Sequence, residues 1–269
     1  MSALRWLIPW DPSFAVFLVC ASAGVVYARG CSRIACPLWR RRLFWAGLLS
    51  LYVVTDTGFD YYAEHSFFVH RLQHTVLHHV APMLIILSQP AHIFLRGLPT
   101  GLTDRTWSLW QSRTVSALLS PALVTSLFVG LIGFWLVPSI HTVAMLDWRI
   151  YRVMNWSMAL NGLAFWGLAL SPRGDKGLTA GQRVAMMLGV LPPQIIIGAV
   201  ILYASHELYP VYTLCGRAFV LDAATDQQLG GLVLWIMGSM MSVLGVLLVM
   251  RQELAARPSG AEDGKRPVT

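Results

Sequence analysis

The chain has 269 residues, 56% hydrophobic and only 12% charged. Soluble globular domains carry about 25% charged residues, so the composition excludes an ordinary soluble fold. The net charge of +7 is spread over short loops and a tail, which excludes a nucleic-acid footprint.

A bilayer-crossing helix needs about 20 mostly apolar residues. Seven segments meet that pattern, at about 12–28, 39–55, 66–88, 119–137, 150–170, 183–204 and 229–250. The expectation is an all-α integral membrane bundle of seven transmembrane helices over 1–251, followed by a disordered cytoplasmic tail over 252–269. The first segment is read as a retained span, because "MSALRWLIPWDPSF" precedes it and no small-residue cleavage site follows it.

Loop charge sets the orientation. Arg29, Arg33 and Arg40–Arg42 follow the first segment; Arg96, Arg105 and Arg113 follow the third; Arg173, Lys176 and Arg183 follow the fifth; Arg251, Arg257, Lys265 and Arg266 follow the seventh. These are fifteen basic residues on one side against four on the other: Arg5, Arg149, Arg152 and Arg217. The N-terminus is therefore predicted outside and the C-terminus in the cytoplasm. The outer loops hold the acids and further histidines: Asp56, Asp60, Glu64 and His65, then His141 and Asp147, then His206, Glu207, Asp222 and Asp226. "GLPTGLTDRTWSLWQSRTVSALLS" mixes Trp107, Trp110 and leucines with arginines, as a helix lying on the cytoplasmic face would. Pro82 is expected to kink the third span, and Pro192-Pro193 to kink or break the sixth. Cys20, Cys31, Cys36 and Cys215 fit no metal or disulfide spacing and read as inert thiols.

The third segment holds the chemistry. "HSFFVHRLQHTVLHHVAPM" places His70, His74 and His78 at i, i+4 and i+8, one stripe of an α-helix, with His79 pointing elsewhere. Ionisable groups in a span face the bundle interior or a wet cavity, and mark function by default. The competing reading is neutral histidines hydrogen-bonded between helices. Arg71 is expected to pair with Asp60 or Glu64. The fifth and seventh segments enter from the same side and carry Met154, Asn155, Met158, Asp226, Met237, Met240 and Met241. Imidazole with thioether is a soft donor set suited to Cu(I). The predicted metal residues are His70, His74, His78, Met158, Met241 and Asp226. Gly162, Gly230, Gly231 and Gly238 read as points of close helix contact.

Three stretches carry a resemblance. "FFVHRLQHTVLHHVAPMLIILSQP" contains His70, Gln73, His74, Pro82 and Leu84; "MNWSMALNGLAFWGLAL" contains Gly162, Phe165 and Trp166; "DQQLGGLVLWIMGSMM" contains Asp226, Gln227, Gly230, Gly231 and Trp235. Together they resemble the CtaG-type cytochrome c oxidase assembly factors, seven-span bacterial membrane proteins, over roughly residues 12 to 250. Many members carry a histidine seven residues before the glycine of the fifth span, where this chain has Asn155. The resemblance implies a non-enzymatic factor in the bacterial inner membrane that matures a haem–copper oxidase at its copper centres. Its partners would be oxidase subunits and periplasmic copper chaperones. Three other functions share the residue pattern: a copper transporter, a metal-free structural chaperone, and a b-type cytochrome. Haem is disfavoured, since axial histidines normally come from facing helices and here the span histidines share one.

Overall fold

The computed structural model describes residues 6–10, 12–170 and 178–256, and the described residues form no strand. In chain order the helices are α1 (Phe14–Arg33), α2 (Leu38–Asp56), α3 (Gly58–Glu64), α4 (Phe67–Leu87), α5 (Pro90–Gly97), α6 (Thr100–Trp110), α7 (Arg113–Leu118), α8 (Pro121–Trp135), α9 (Pro138–Leu146), α10 (Trp148–Leu170), α11 (Ala180–Leu202), α12 (Val211–Cys215) and α13 (Ala223–Ala255).

Helices α1, α11 and α13 are long and apolar enough to cross a bilayer. Counting each bent pair as one broken span, α4 with α5 at 70° and α8 with α9 at 78°, raises the number to five, against the seven expected. The difference lies in α2 and α10. Both are long helices, of 19 and 23 residues. Arg40, Arg41, Arg42 and Asp56 in α2, and Arg149, Arg152, Asn155 and Asn161 in α10, dilute their hydropathy.

Helix α4 is the hub. Helix α3 and the start of α13 pack on its first half, α2 and α10 on its second. Helices α6 and α7 bury no residue, and Leu102, Trp107, Leu109, Trp110 and Leu118 are exposed on them. Helix α11 runs through Pro192 and Pro193 without the predicted break. A proline clashes with the carbonyl four residues back; here those are Leu188 and Gly189, which lie on an exposed face. The predicted tail boundary at 252 also shifts. Helix α13 continues through Ala255, and Gln252 and Arg183 hold the last carbonyls of α10. Residues 257–269, the rest of the predicted tail, lie outside the described residues.

Candidate functional site

The N-terminus of α4 is capped from the far end of the chain. Asp226 on α13 accepts from Ser66 Oγ at 2.8 Å, from Phe67 N at 3.0 Å and from Phe68 N at 3.0 Å, and pairs with Arg217. A carboxylate there satisfies orphan amides and complements the helix dipole. Its oxygens are thereby committed to α4 and Arg217, so Asp226 stands apart from the histidines with which it was grouped. The neighbouring Gln227 holds the loop before α12 through Leu208 N, 2.7 Å. A side chain on Gly230 would strike the Phe67 ring at 2.3 Å, and one on Gly231 would strike Gly198 O at 2.8 Å, so this pair lets α13 seat against α4 and α11 at once.

Past His74, α4 widens into a π-turn at Val76–Val80. Pro82 follows it and can donate nothing to the His78 carbonyl. Trp166 on α10 supplies the missing donor, its Nε1 lying 3.2 Å from His78 O. Gly162, one turn earlier, leaves room for that contact: a Cβ there would come within 2.5 Å of the same oxygen. The predicted kink at Pro82 is thus resolved as a π-turn inside a continuous helix.

The π-turn divides the histidines, because an inserted residue shifts everything after it around the helix axis. His70 and His74 stay together, ring centres 4.4 Å apart. His70 is 5.2 Å from His141, which lies fully buried in α9 and not in a loop. His141 is committed, with Nδ1 2.9 Å from Trp135 O and Nε2 2.9 Å from Tyr212 Oη. His78 stacks on Phe128 at 3.6 Å and sets Nε2 3.2 Å from Asn161 Oδ1. His79 reaches Gln194 at 3.3 Å. His70 and His74 differ from these three: all four of their ring nitrogens are buried and none makes a hydrogen bond of normal geometry. The Ala63 backbone faces His70, and the Asn155 side chain faces His74.

A cavity of about 20 Å³ lies beside them, lined by Arg71, His74, Thr75, His78, His79 and Met158, with Leu234 and Gly238 of α13 closing it. His79 therefore shares the cavity with His74 and His78, although it was expected to point away from their stripe; the π-turn accounts for the difference. Arg71 does not pair with Asp60, which binds Gln73 at 2.6 Å and Tyr151 at 2.7 Å. A second cavity, of about 30 Å³, is lined by Ser13, Asp60, Glu64, Tyr151, Arg152 and Asn155. Asn155, whose side chain faces His74, is part of its lining.

Of the six predicted metal residues, the fold gathers His70, His74, His78 and Met158. Met241 packs instead with Phe165, Trp166 and Met187 in a separate core cluster. Sequence reasoning placed His141 and His79 elsewhere and missed Asn155 as a neighbour of His74. The signal for His141 was Pro138 opening an apolar run, since proline favours the first turn of a new helix. Among the described residues no three His, Cys, Asp or Glu side chains form a group that could hold a metal ion. What the arrangement offers is a two-imidazole pair whose ring nitrogens make no hydrogen bond of normal geometry, with a thioether lining the same cavity as His74.

No curated protein and no solved structure matches the chain. A family model described as cytochrome c oxidase caa3 assembly factor (Caa3_CtaG) matches residues 23–256. That span includes α4 with its cap, the π-turn with its Trp166 donor, and all of α13, and on it the chain belongs to the cytochrome c oxidase caa3 assembly factor family.

Proposed function

We propose that the protein is a seven-span factor of the bacterial inner membrane, N-terminus outside, that handles Cu(I) for a haem–copper oxidase and has no catalytic role of its own. The observation that carries the copper reading is the set of four buried, unbonded ring nitrogens on His70 and His74. A buried polar atom without a partner is costly, and a soft monovalent cation is one partner that neutral imidazoles accept. Met158 and His78 stand next to His74 around the shared cavity and would complete the set. The cavity holding Asp60, Glu64 and Asn155 would admit the ion from the outer side. The chemistry of such a site is retention and release, so its partners would be oxidase subunits and periplasmic copper chaperones.

The test is metal analysis of detergent-purified protein with and without added Cu(I). His70→Ala and His74→Ala should abolish copper retention and oxidase maturation while protein abundance holds. His141→Ala, whose nitrogens are already bonded, should reduce abundance first. Reporter fusions after residues 60 and 222 should report outside, and fusions after residue 104 and at the tail should report inside. A cytoplasmic signal at residue 60 reverses the orientation and removes the access route.

One observation favours a second reading, a metal-free chaperone of oxidase helices. His78, His79 and His141 all act as hydrogen-bonding links between helices. Loss of function in every histidine variant in proportion to abundance, at constant copper content, would establish that reading instead.

A further inference from the structure

Arg71 on α4 is 3% exposed. Its Nε and Nη2 have no hydrogen-bond partner. Its aromatic neighbour is Phe67, whose ring centre lies 5.3 Å from the guanidinium carbon. Neither nearby carboxylate compensates it: Asp60 is engaged by Gln73 and Tyr151, and Asp226 by the amides of α4 and by Arg217. Guanidinium stays protonated in proteins, and an uncompensated charge inside a bundle is heavily penalised.

The cavity beside Arg71 supplies the place for a counter-charge. The α4 π-turn at Val76–Val80 borders it, and Leu234 from the α13 π-turn at Val233–Met237 closes it. π-turns of this kind gather at functional sites. The Nδ1 atoms of His78 and His79, and both ring nitrogens of His74, also lack partners. A neutral imidazole presents one N–H, and the tautomer follows whichever acceptor arrives. His78 spends its N–H on Asn161 Oδ1, so the donors left to the cavity are the Arg71 guanidinium, His79 Nδ1–H, whose Nε2 faces the Gln194 amide nitrogen, and one N–H of His74. The volume of about 20 Å³ admits one water-sized group.

We propose that the Arg71 cavity binds a single chloride-sized monovalent anion, held by the guanidinium and by imidazole N–H groups of His74 and His79. The two sites share His74, but Arg71 lacks a counter-ion whether or not His70 and His74 hold a metal, so the anion site is tested on metal-free protein.

The test uses full-length protein in detergent, stripped of metal with a chelator, in chloride or gluconate at equal ionic strength. Chloride should give saturable ³⁵Cl line broadening that bromide displaces. The Tm should climb by about 3 °C per tenfold rise in chloride above the dissociation constant, and gluconate should give no rise. Arg71→Gln removes the charge, and Leu234→Phe fills the cavity while keeping Arg71; both should abolish the broadening and the chloride dependence of Tm. His70→Ala, outside the cavity lining, should leave both intact, which separates this proposal from the copper reading. Absence of bromide-displaceable broadening in the unmutated protein overturns the proposal. So does broadening that persists undiminished in Leu234→Phe or in a folded Arg71→Gln protein.

Discussion

Among the described residues two arginines are buried, Arg71 at 3% and Arg183 at 2% exposure, and they are treated in opposite ways. Arg183 near the start of α11 donates to Ala169 O at 2.7 Å, bonds Gln252, and pairs with Glu253 at 3.4 Å. It ties the ends of three helices together where α10 would otherwise leave carbonyls unsatisfied. Arg71 sits among three histidines and a cavity with two of its donors idle. Similar burial thus serves a structural clamp at one place and leaves an open demand for a ligand at the other. Burial alone does not distinguish a structural charge from a functional one; the state of its hydrogen bonds does.

The sharpest way to break the comparison is to remove each charge in turn. Arg183→Met should cost about 3 kcal/mol, since it strands Glu253, Gln252 and the α10 carbonyls. Arg71→Met, in chloride-free buffer, should change stability by less than about 0.5 kcal/mol or raise it, because it deletes an uncompensated charge. Unfolding in mixed micelles measures both, and equal losses would erase the distinction.

Gly162→Ala should come next, at about 2 kcal/mol. The added methyl meets His78 O and must push α10 from the π-turn, disturbing the surroundings of Arg71 and leaving the Arg183 clamp in place. Retained thermal stability in that variant would show that the π-turn yields easily.

A partner can also be supplied. Thr75 lines the Arg71 cavity. Thr75→Asp should couple favourably to Arg71 by about 1.5 kcal/mol in a double-mutant cycle with Arg71→Met. Zero coupling would mean that the guanidinium is already neutralised. Trp166→Phe removes the indole donor to His78 O, a hydrogen bond worth about 0.6 kcal/mol.

Much of this was legible in the sequence. The long helices fall within a few residues of their predicted bounds, because hydropathy over a 20-residue window reports a property the bilayer demands. Gly162, Gly230 and Gly231 were read as close-contact points, and a Cβ at each would meet a neighbouring helix. Phase was not legible. The stripe of His70, His74 and His78 assumes 3.6 residues per turn throughout, and the π-turn at Val76–Val80 breaks that assumption between the second histidine and the third. Long-range polar pairing was equally hidden: Asp226 looked like a ligand at the mouth of a helix and is a cap for another one. Tail residues 252–255 looked like polar overhang, yet Gln252 and Glu253 are needed by a buried arginine fourteen residues beyond the α10 carbonyl it also binds.

The cap on α4 also fixes an order of events in biosynthesis. The amide of Phe67 and the carboxylate of Asp226 are separated by 159 positions in the chain. At 5–20 residues synthesised per second, roughly 8–30 s pass between them. Through that interval the histidine-bearing helix has open amides at its N-terminal end and nothing closing the Arg71 cavity from the α13 side. The site is finished by α13, so a nascent chain stalled before Asp226 would hold the histidines without that wall.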